Sequence, residues 1–265
     1  MDLFCPQGTH YQVFGTPHLG KSAMVFIHGV GLDLSLWHDQ VEGLKAEHHI
    51  ITYDMLGHGL SPIAPTDISL ETLAQQLLGL LDHIQLEQVH LIGFSLGGLV
   101  ARVFATLHNH RLHSLTIMNS VFDRNEPLRE AILKRVSNVE KHGPSANIDQ
   151  ALTRWFSPLY AQNHAHYLAQ LKAKVLSNHG ASYGRCYRLF GEGDNAAQDQ
   201  LSNITCPTLV TTGELDPGST PAMSHALAAR INCAKVAILP NARHMMPVER
   251  ASEVNQLLQQ FIKAN

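Results

Sequence analysis

A serine stands at the centre of a glycine-spaced turn in Val89-His90-Leu91-Ile92-Gly93-Phe94-Ser95-Leu96-Gly97-Gly98, where an apolar run ends and a helical pattern begins. On a sharp strand-to-helix turn a serine hydroxyl is lifted clear of the sheet, and glycines two residues either side remove side chains that would clash there. The same serine would also serve as a plain helix N-cap. Three further segments weigh against that use. His28-Gly29-Val30-Gly31 follows an earlier apolar run, as does a glycine-bearing loop whose backbone amide completes an oxyanion hole. Its two donors are assigned to the N–H groups of Val30 and Leu96. Thr212-Gly213-Glu214-Leu215-Asp216-Pro217 places carboxylates just after the run from Pro207 to Gly213. Asp216 is preferred to Glu214, because the chain needs a short turn before an acid can point back toward the crevice. Leu239-Pro240-Asn241-Ala242-Arg243-His244 puts a histidine between the last strand and the last helix. Alone, Asp216 reads as a turn former and His244 as a polar residue at a helix start. Together, in the order Ser95, Asp216, His244 and each at a strand end, they describe acyl transfer with a nucleophile, an orienting acid and a base.

The elements that must hold these residues are legible as alternating patterns. Short apolar runs recur at Ala23 to His28, His49 to Asp54, Gln88 to Gly93, Ser114 to Asn119, Pro207 to Gly213 and Ala234 to Leu239. Helical patterns between such runs imply a mostly parallel sheet, since parallel strands need crossovers and helices supply them. Residues 10 to 14 add an antiparallel edge strand. Leu70, Leu73, Leu77, Leu81 and Ile84 form a helical stripe behind Ser69, an N-cap with Glu71 in the first turn, and Val254, Leu257, Leu258, Phe261 and Ile262 form another. The alternation stops after Asn119 and resumes at Pro207. The roughly eighty residues between are helix-like and punctuated by Gly and Pro, with helices expected over Glu126 to Lys141, Tyr160 to Leu176 and Ser182 to Phe190. A strandless insertion on the carboxyl side of a sheet is read as a cap over the crevice.

Composition narrows the function classes. With 45% hydrophobic and 15% charged residues, the 265-residue chain has the makeup of a globular enzyme with one core and one appendage. Its 19 basic residues form no run and the net charge is -3, which argues against nucleic acid as a partner. Eighteen histidines raise a metal reading for His48-His49 and for His108, His110 and His113, but neither group has a ligand-motif spacing, so no metal is expected. Cys5, Cys186, Cys206 and Cys233 are widely spaced, as reduced thiols of a cytoplasmic protein would be. The first residues lack a basic-then-apolar leader and no apolar stretch reaches membrane-span length, so the expectation is a soluble cytoplasmic protein with no membrane partner.

Taken together, these motifs resemble a capped α/β-hydrolase over the whole chain and, more narrowly, the bacterial 3-oxoadipate enol-lactonase group. The narrower similarity rests on the 28–31 loop with Trp37, on Tyr53-Asp54-Met55-Leu56-Gly57-His58-Gly59-Leu60-Ser61, and on the serine turn. It extends to Arg154-Trp155-Phe156-Ser157-Pro158, and to Cys206-Pro207-Thr208-Leu209-Val210 leading to Asp216-Pro217-Gly218-Ser219-Thr220-Pro221. The resemblance implies an α/β-hydrolase fold, with a mostly parallel central sheet, helices on both faces and a helical cap insertion. The core would comprise residues 1–120 and 204–265, and the cap residues 121–203. His58 is read as part of a structural turn, because the base role is already filled by His244.

Resemblance and site chemistry together imply a serine hydrolase that needs no metal or organic cofactor and acts through an acyl-enzyme. The substrate is expected to be a small, carboxylated ester, lactone or amide from the catabolism of an aromatic or heteroaromatic compound. Arg124, Arg154, Arg185 and Arg188 are candidates to meet its carboxylate, because a guanidinium presents a matching planar fork. Trp155 is a candidate pocket wall on the family resemblance. Rival readings are an enamide hydrolase acting on an acylaminomethylene-succinate from pyridine-ring cleavage, a carbon-carbon bond hydrolase, and a hydrolase-like ligand receptor. Dehalogenation is disfavoured, since in this fold that chemistry resembles one using a carboxylate where Ser95 stands.

Overall fold

The computed structural model describes residues 2–17 and 22–265. Its eight strands are β1 Leu3–Phe4, β2 His10–Phe14, β3 Ala23–Ile27, β4 Ile50–Tyr53, β5 Val89–Phe94, β6 Leu112–Met118, β7 Thr208–Gly213 and β8 Ala234–Leu239. They form one sheet in the order β1-β2-β4-β3-β5-β6-β7-β8. From β4 to β8 all pairings are parallel, while β2 runs antiparallel to β1 and β4. The strand expected at residues 10 to 14 is therefore present and antiparallel, but β1 lies outside it at the edge. β3 and β5 are buried at every position, which is why they read as continuous apolar runs without alternation.

The helices are α1 His38–Leu44, α2 Leu70–His83, α3 Leu96–Leu107, α4 Glu126–His142, α5 Ile148–Trp155, α6 Pro158–Asn163, α7 Ala165–Leu176, α8 Gly180–Glu192, α9 Pro221–Ala228, α10 Met246–Glu249 and α11 Ala251–Lys263. From β3 the chain steps to β4 on one side, then crosses back to β5 on the other. Right-handed crossovers moving in opposite directions put their helices on opposite faces. Accordingly α1 packs with α11, and α2 with α3. The reversal also leaves the carboxyl ends of β3 and β5 side by side with no connection between them, and a crevice opens there. Among the described residues no helix is long and apolar enough to cross a membrane.

Ser69 caps α2 as expected, accepting from Thr72 N–H, with Glu71 in the first turn. All five helices α4 to α8 lie between β6 and β7. The single helix expected over 160 to 176 is two, α6 and α7, parted at His164. There the backbone leaves helical torsions, and the ring stacks on Tyr160 with centroids 4.0 Å apart while bonding its carbonyl at 3.1 Å. No glycine or proline marks that break. The α5 helix was not anticipated, though Ile148, Ala151 and Trp155 follow helical spacing.

Candidate active site

Ser95 joins β5 to α3 at φ 55° and ψ -114°, a left-handed-side conformation for a residue with a side chain. Its flanking glycines are explained by backbone, not side-chain, neighbours. A Cβ on Gly93 would sit 2.2 Å from the Gly97 carbonyl oxygen, and one on Gly97 would sit 2.4 Å from that of Ile27. The glycine at 97 thus lets α3 press against the end of β3, which brings the 28–31 loop beside the serine.

That loop is held by His28. Its Nδ1 bonds the Gly29 carbonyl at 2.8 Å and its Nε2 accepts from Met55 N–H at 3.0 Å, so the proton resides on Nδ1. Burial, the largest influence, pushes its pKa down and keeps the ring neutral. Leu32 N–H also donates to the Gly29 carbonyl, at 3.2 Å. The carbonyl and N–H of a trans peptide point in opposite directions, so pinning this carbonyl turns Val30 N–H the other way. The Ser95 carbonyl is pinned likewise, accepting from Gly98 N–H at 3.0 Å and Ser120 Oγ at 3.0 Å, which turns Leu96 N–H out of the start of α3. Val30 and Ser95 line one cavity.

Asp216 and His244 line the same cavity. His244 Nδ1 lies 2.7 Å from Asp216 Oδ2. The same carboxylate oxygen accepts from Asn119 Nδ2 at 2.9 Å, and Oδ1 accepts from the N–H groups of Gly218 and Ser219 at 2.9 and 3.0 Å. Burial raises the pKa of this carboxyl, but His244 and these hydrogen bonds outweigh it and hold it below the ordinary aspartate value. An ionised carboxylate only accepts, so His244 carries its proton on Nδ1 and keeps a lone pair on Nε2. Glu214 is exposed and accepts from Asn241 N–H at 2.9 Å, bracing the turn before His244 without touching the imidazole. The imidazole packs between Phe94, with centroids 5.1 Å apart, and Trp155, which stacks at 6.4 Å and 27°. Met245 N–H donates to the Trp155 carbonyl at 3.0 Å, tying the histidine loop to the end of α5.

The cavity encloses about 710 Å³ counted to its open mouth. Trp155 and Arg154 are on its wall. The other three arginine candidates are corrected by the structure, because they do not line this cavity and each has a partner elsewhere. Arg124 is buried, donating to the carbonyls of Gly191 at 2.9 Å and Phe190 at 3.2 Å, and sits 3.5 Å from Asp194. Arg185 donates to the Ala64 carbonyl at 2.6 Å, and Arg188 is half exposed and paired with Glu140. His58 is buried away from the cavity beside His28, its Nδ1 near the Leu56 carbonyl, and burial pushes its pKa down to about 3. Among the described residues no three His, Cys, Asp or Glu side chains gather as a metal site requires.

Asn119 and Arg135 are among the cavity or support residues that escaped the sequence reading. Asn119, at the end of β6 with φ 47°, holds Asp216. Arg135 of α4 lines the cavity. Its signal was in the pattern: with Ile132, Val136 and Val139 it occupies the buried stripe of α4, where a cation is out of place.

Residues 22–251 match the family described as alpha/beta hydrolase fold. The chain is 31% identical over 242 residues, 91% of its length and 90% of the relative's, to (E)-2-((N-methylformamido)methylene)succinate hydrolase of Acinetobacter baylyi. Among solved structures it is similar to the enol-lactonase from Burkholderia xenovorans LB400, with TM-score 0.88, 27% identity and coverage of 96% and 97% of the two chains. A malate-bound thermophilic esterase from Thermogutta terrifontis matches with TM-score 0.86 and 26% identity, over 98% and 95% of the chains. With the sheet, the serine turn and a family match reaching from before β3 into α11, this chain belongs to the α/β-hydrolase fold family and is a hydrolase.

Proposed function

We propose that the protein is a serine hydrolase that cleaves a small, carboxylated ester, lactone or amide through an acyl-enzyme, with Ser95 as nucleophile, His244 as base and Asp216 as orienting acid. The observation that carries this reading is the Asp216 carboxylate 2.7 Å from His244 Nδ1, in the cavity that Ser95 also lines. Ser95 Oγ attacks the substrate carbonyl as His244 Nε2 takes its proton. The developing oxyanion accepts from Val30 and Leu96 N–H, whose peptides are already oriented and need no reorganisation. His244 then protonates the leaving group, and a water that it deprotonates releases the acid. Residues 121–203 act as the cap and residues 1–120 and 204–265 as the core, the cap supplying the wall with Trp155 and Arg154.

The carboxylate preference is supported by Arg154 on the cavity wall, by the malate in one structural neighbour, and by the succinate in the name of one relative. Catabolism of an aromatic or heteroaromatic compound in the cytoplasm is the setting that fits these likenesses. Enamide hydrolysis is the second reading, favoured by the 31% identity to a hydrolase of such a compound. The test is a serine-directed phosphonate together with Ser95→Ala. Label on Ser95 alone, and turnover reduced about a million-fold or to background in the alanine variant, are the expected results. Label elsewhere, or activity retained by the variant, refutes the nucleophile.

A further inference from the structure

Six arginines lie between β6 and β7: Arg124, Arg129, Arg135, Arg154, Arg185 and Arg188. Four have partners. Arg124 and Arg129 face Asp194, Arg185 holds the Ala64 carbonyl, and Arg188 holds Glu140. The two whose guanidinium groups meet no acceptor among the described residues, Arg135 and Arg154, are the two that line the cavity with Ser95 and His244. Arg135 Nε is fully buried and unpartnered. Both residues are half-buried. They are also near enough to oppose each other: burial first, and then the positive charge of Arg135, push the Arg154 pKa down.

Leaving two half-buried cations without an acceptor costs stability, and every other arginine of this segment has a partner. The remaining wall offers no free carboxylate: it is largely apolar or aromatic, with Leu32, Phe94, Trp155, Tyr187 and Phe190, and its one carboxylate, Asp216, is occupied by His244. A ligand that enters the cavity can supply the acceptors that these two guanidinium groups lack. One carboxylate would neutralise one guanidinium and leave the other unpaired.

From this we infer that Arg135 and Arg154 form a two-guanidinium site for a small dianion, a substrate carrying two carboxylates besides its scissile group. Arg135 acts as the second anion-binding residue. Asn147, on the same wall, fixes the α4 backbone by donating from Nδ2 to the Arg135 carbonyl at 3.2 Å. The inference rests on the proposal that this cavity is the hydrolytic site, but its test does not require turnover.

The full-length Ser95→Ala protein is titrated with methylenesuccinate as the dianion, with its two monomethyl esters and with its dimethyl ester, reading Kd by calorimetry. The expected ranking is dianion tightest, either monoester weaker by about tenfold or more, and diester weakest. Adding Arg135→Gln should shrink the dianion's advantage over its tighter monoester to about twofold. Because the Arg135 guanidinium has no acceptor among the described residues, the substitution should leave the Tm of the free protein unchanged or raised, whereas a structural arginine would lower it. A dianion that binds no better than its monoesters, or an advantage that survives Arg135→Gln, overturns the inference. If the glutamine variant fails to fold, a structural role is indicated and the inference falls. Dianion binding without phosphonate labelling of Ser95 in the unsubstituted protein would instead refute the hydrolytic reading and leave the dianion site standing.

Discussion

Replacing Asp216 by Asn removes one charge while preserving shape, and the surrounding donors dictate the outcome. Gly218 and Ser219 N–H both point at Oδ1, so the single oxygen of the asparagine belongs there and its NH₂ replaces Oδ2. That NH₂ faces His244 Nδ1, which must then become an acceptor and move its proton to Nε2, the atom that has to receive the Ser95 proton. Asn119 can accommodate the change by flipping its amide, because its Oδ1 is buried and unpartnered and its Nδ2 now donates to Asp216. Folding should survive while catalysis does not. Between charge centres about 4 Å apart at an effective dielectric of about 20, the lost attraction to the imidazolium is about 4 kcal/mol. Displacing the tautomer adds about 1–1.5 kcal/mol. The sum corresponds to about ten-thousand-fold in kcat, the size of the effect in other triads. Glu214→Gln is the control: its side chain is exposed and keeps an oxygen for Asn241 N–H, so a change within about twofold is expected. The assay is kcat on a small neutral ester and the rate of phosphonate labelling of Ser95, with circular dichroism to check folding. A loss below about a hundredfold in Asp216→Asn, or a greater loss in Glu214→Gln, refutes the assignment of the acid.

Gly97→Ala should cost about 2–3 kcal/mol, because its Cβ would meet the carbonyl oxygens of Ile27 at 2.4 Å and His28 at 2.6 Å, backbone atoms that cannot rotate away. The expected Tm drop is roughly 5–10 °C, and an unchanged Tm shows that the elbow tolerates separation from β3. The lowered Asp216 pKa fixes the sign of an acid effect. A depressed carboxyl contributes stability that is complete above its unfolded value, about 3.9, and is lost as pH falls through the folded value. The stability difference between the unsubstituted protein and Asp216→Asn, read by urea titration, should therefore shrink on going from pH 6 toward pH 2. A difference that stays constant or grows contradicts it.

How much could be read from sequence follows from how local each cause is. The parallel strands are short, largely apolar runs, and Ser95, Asp216 and His244 each follow one, so position along the chain was enough to nominate them. The break between α6 and α7 was hidden because a ring stack and one side-chain bond produce it. The arginines divided for a non-local reason. Arg188 is satisfied by Glu140, forty-eight positions away, and Arg185 by a carbonyl 121 positions away, so no inspection of 185–188 alone could tell them from Arg154. Arg135 was legible in principle, as a cation in the buried stripe of α4, but that requires asking which residue breaks a stripe as well as which residues form it.

The proposed oxyanion donors and the proposed anion-binding arginines are held by different parts of this molecule. The two proposed oxyanion donors gain their direction from what their peptide carbonyls do: His28 and Leu32 fix one, and Gly98 and Ser120 fix the other. All of these residues precede α4, on the sheet or the loops and helix attached to it, and the first of these loops is also held from outside by Asn178, which donates to the Gly31 carbonyl at 3.0 Å. The unpaired guanidinium groups belong to α4 and α5. Among the seams between the two parts is the one where Met245 N–H meets the Trp155 carbonyl beside the stack of Trp155 on His244. On the proposed reading, a shift of α5 that repositions Arg154 would also press on His244, linking charge recognition to proton transfer at that point.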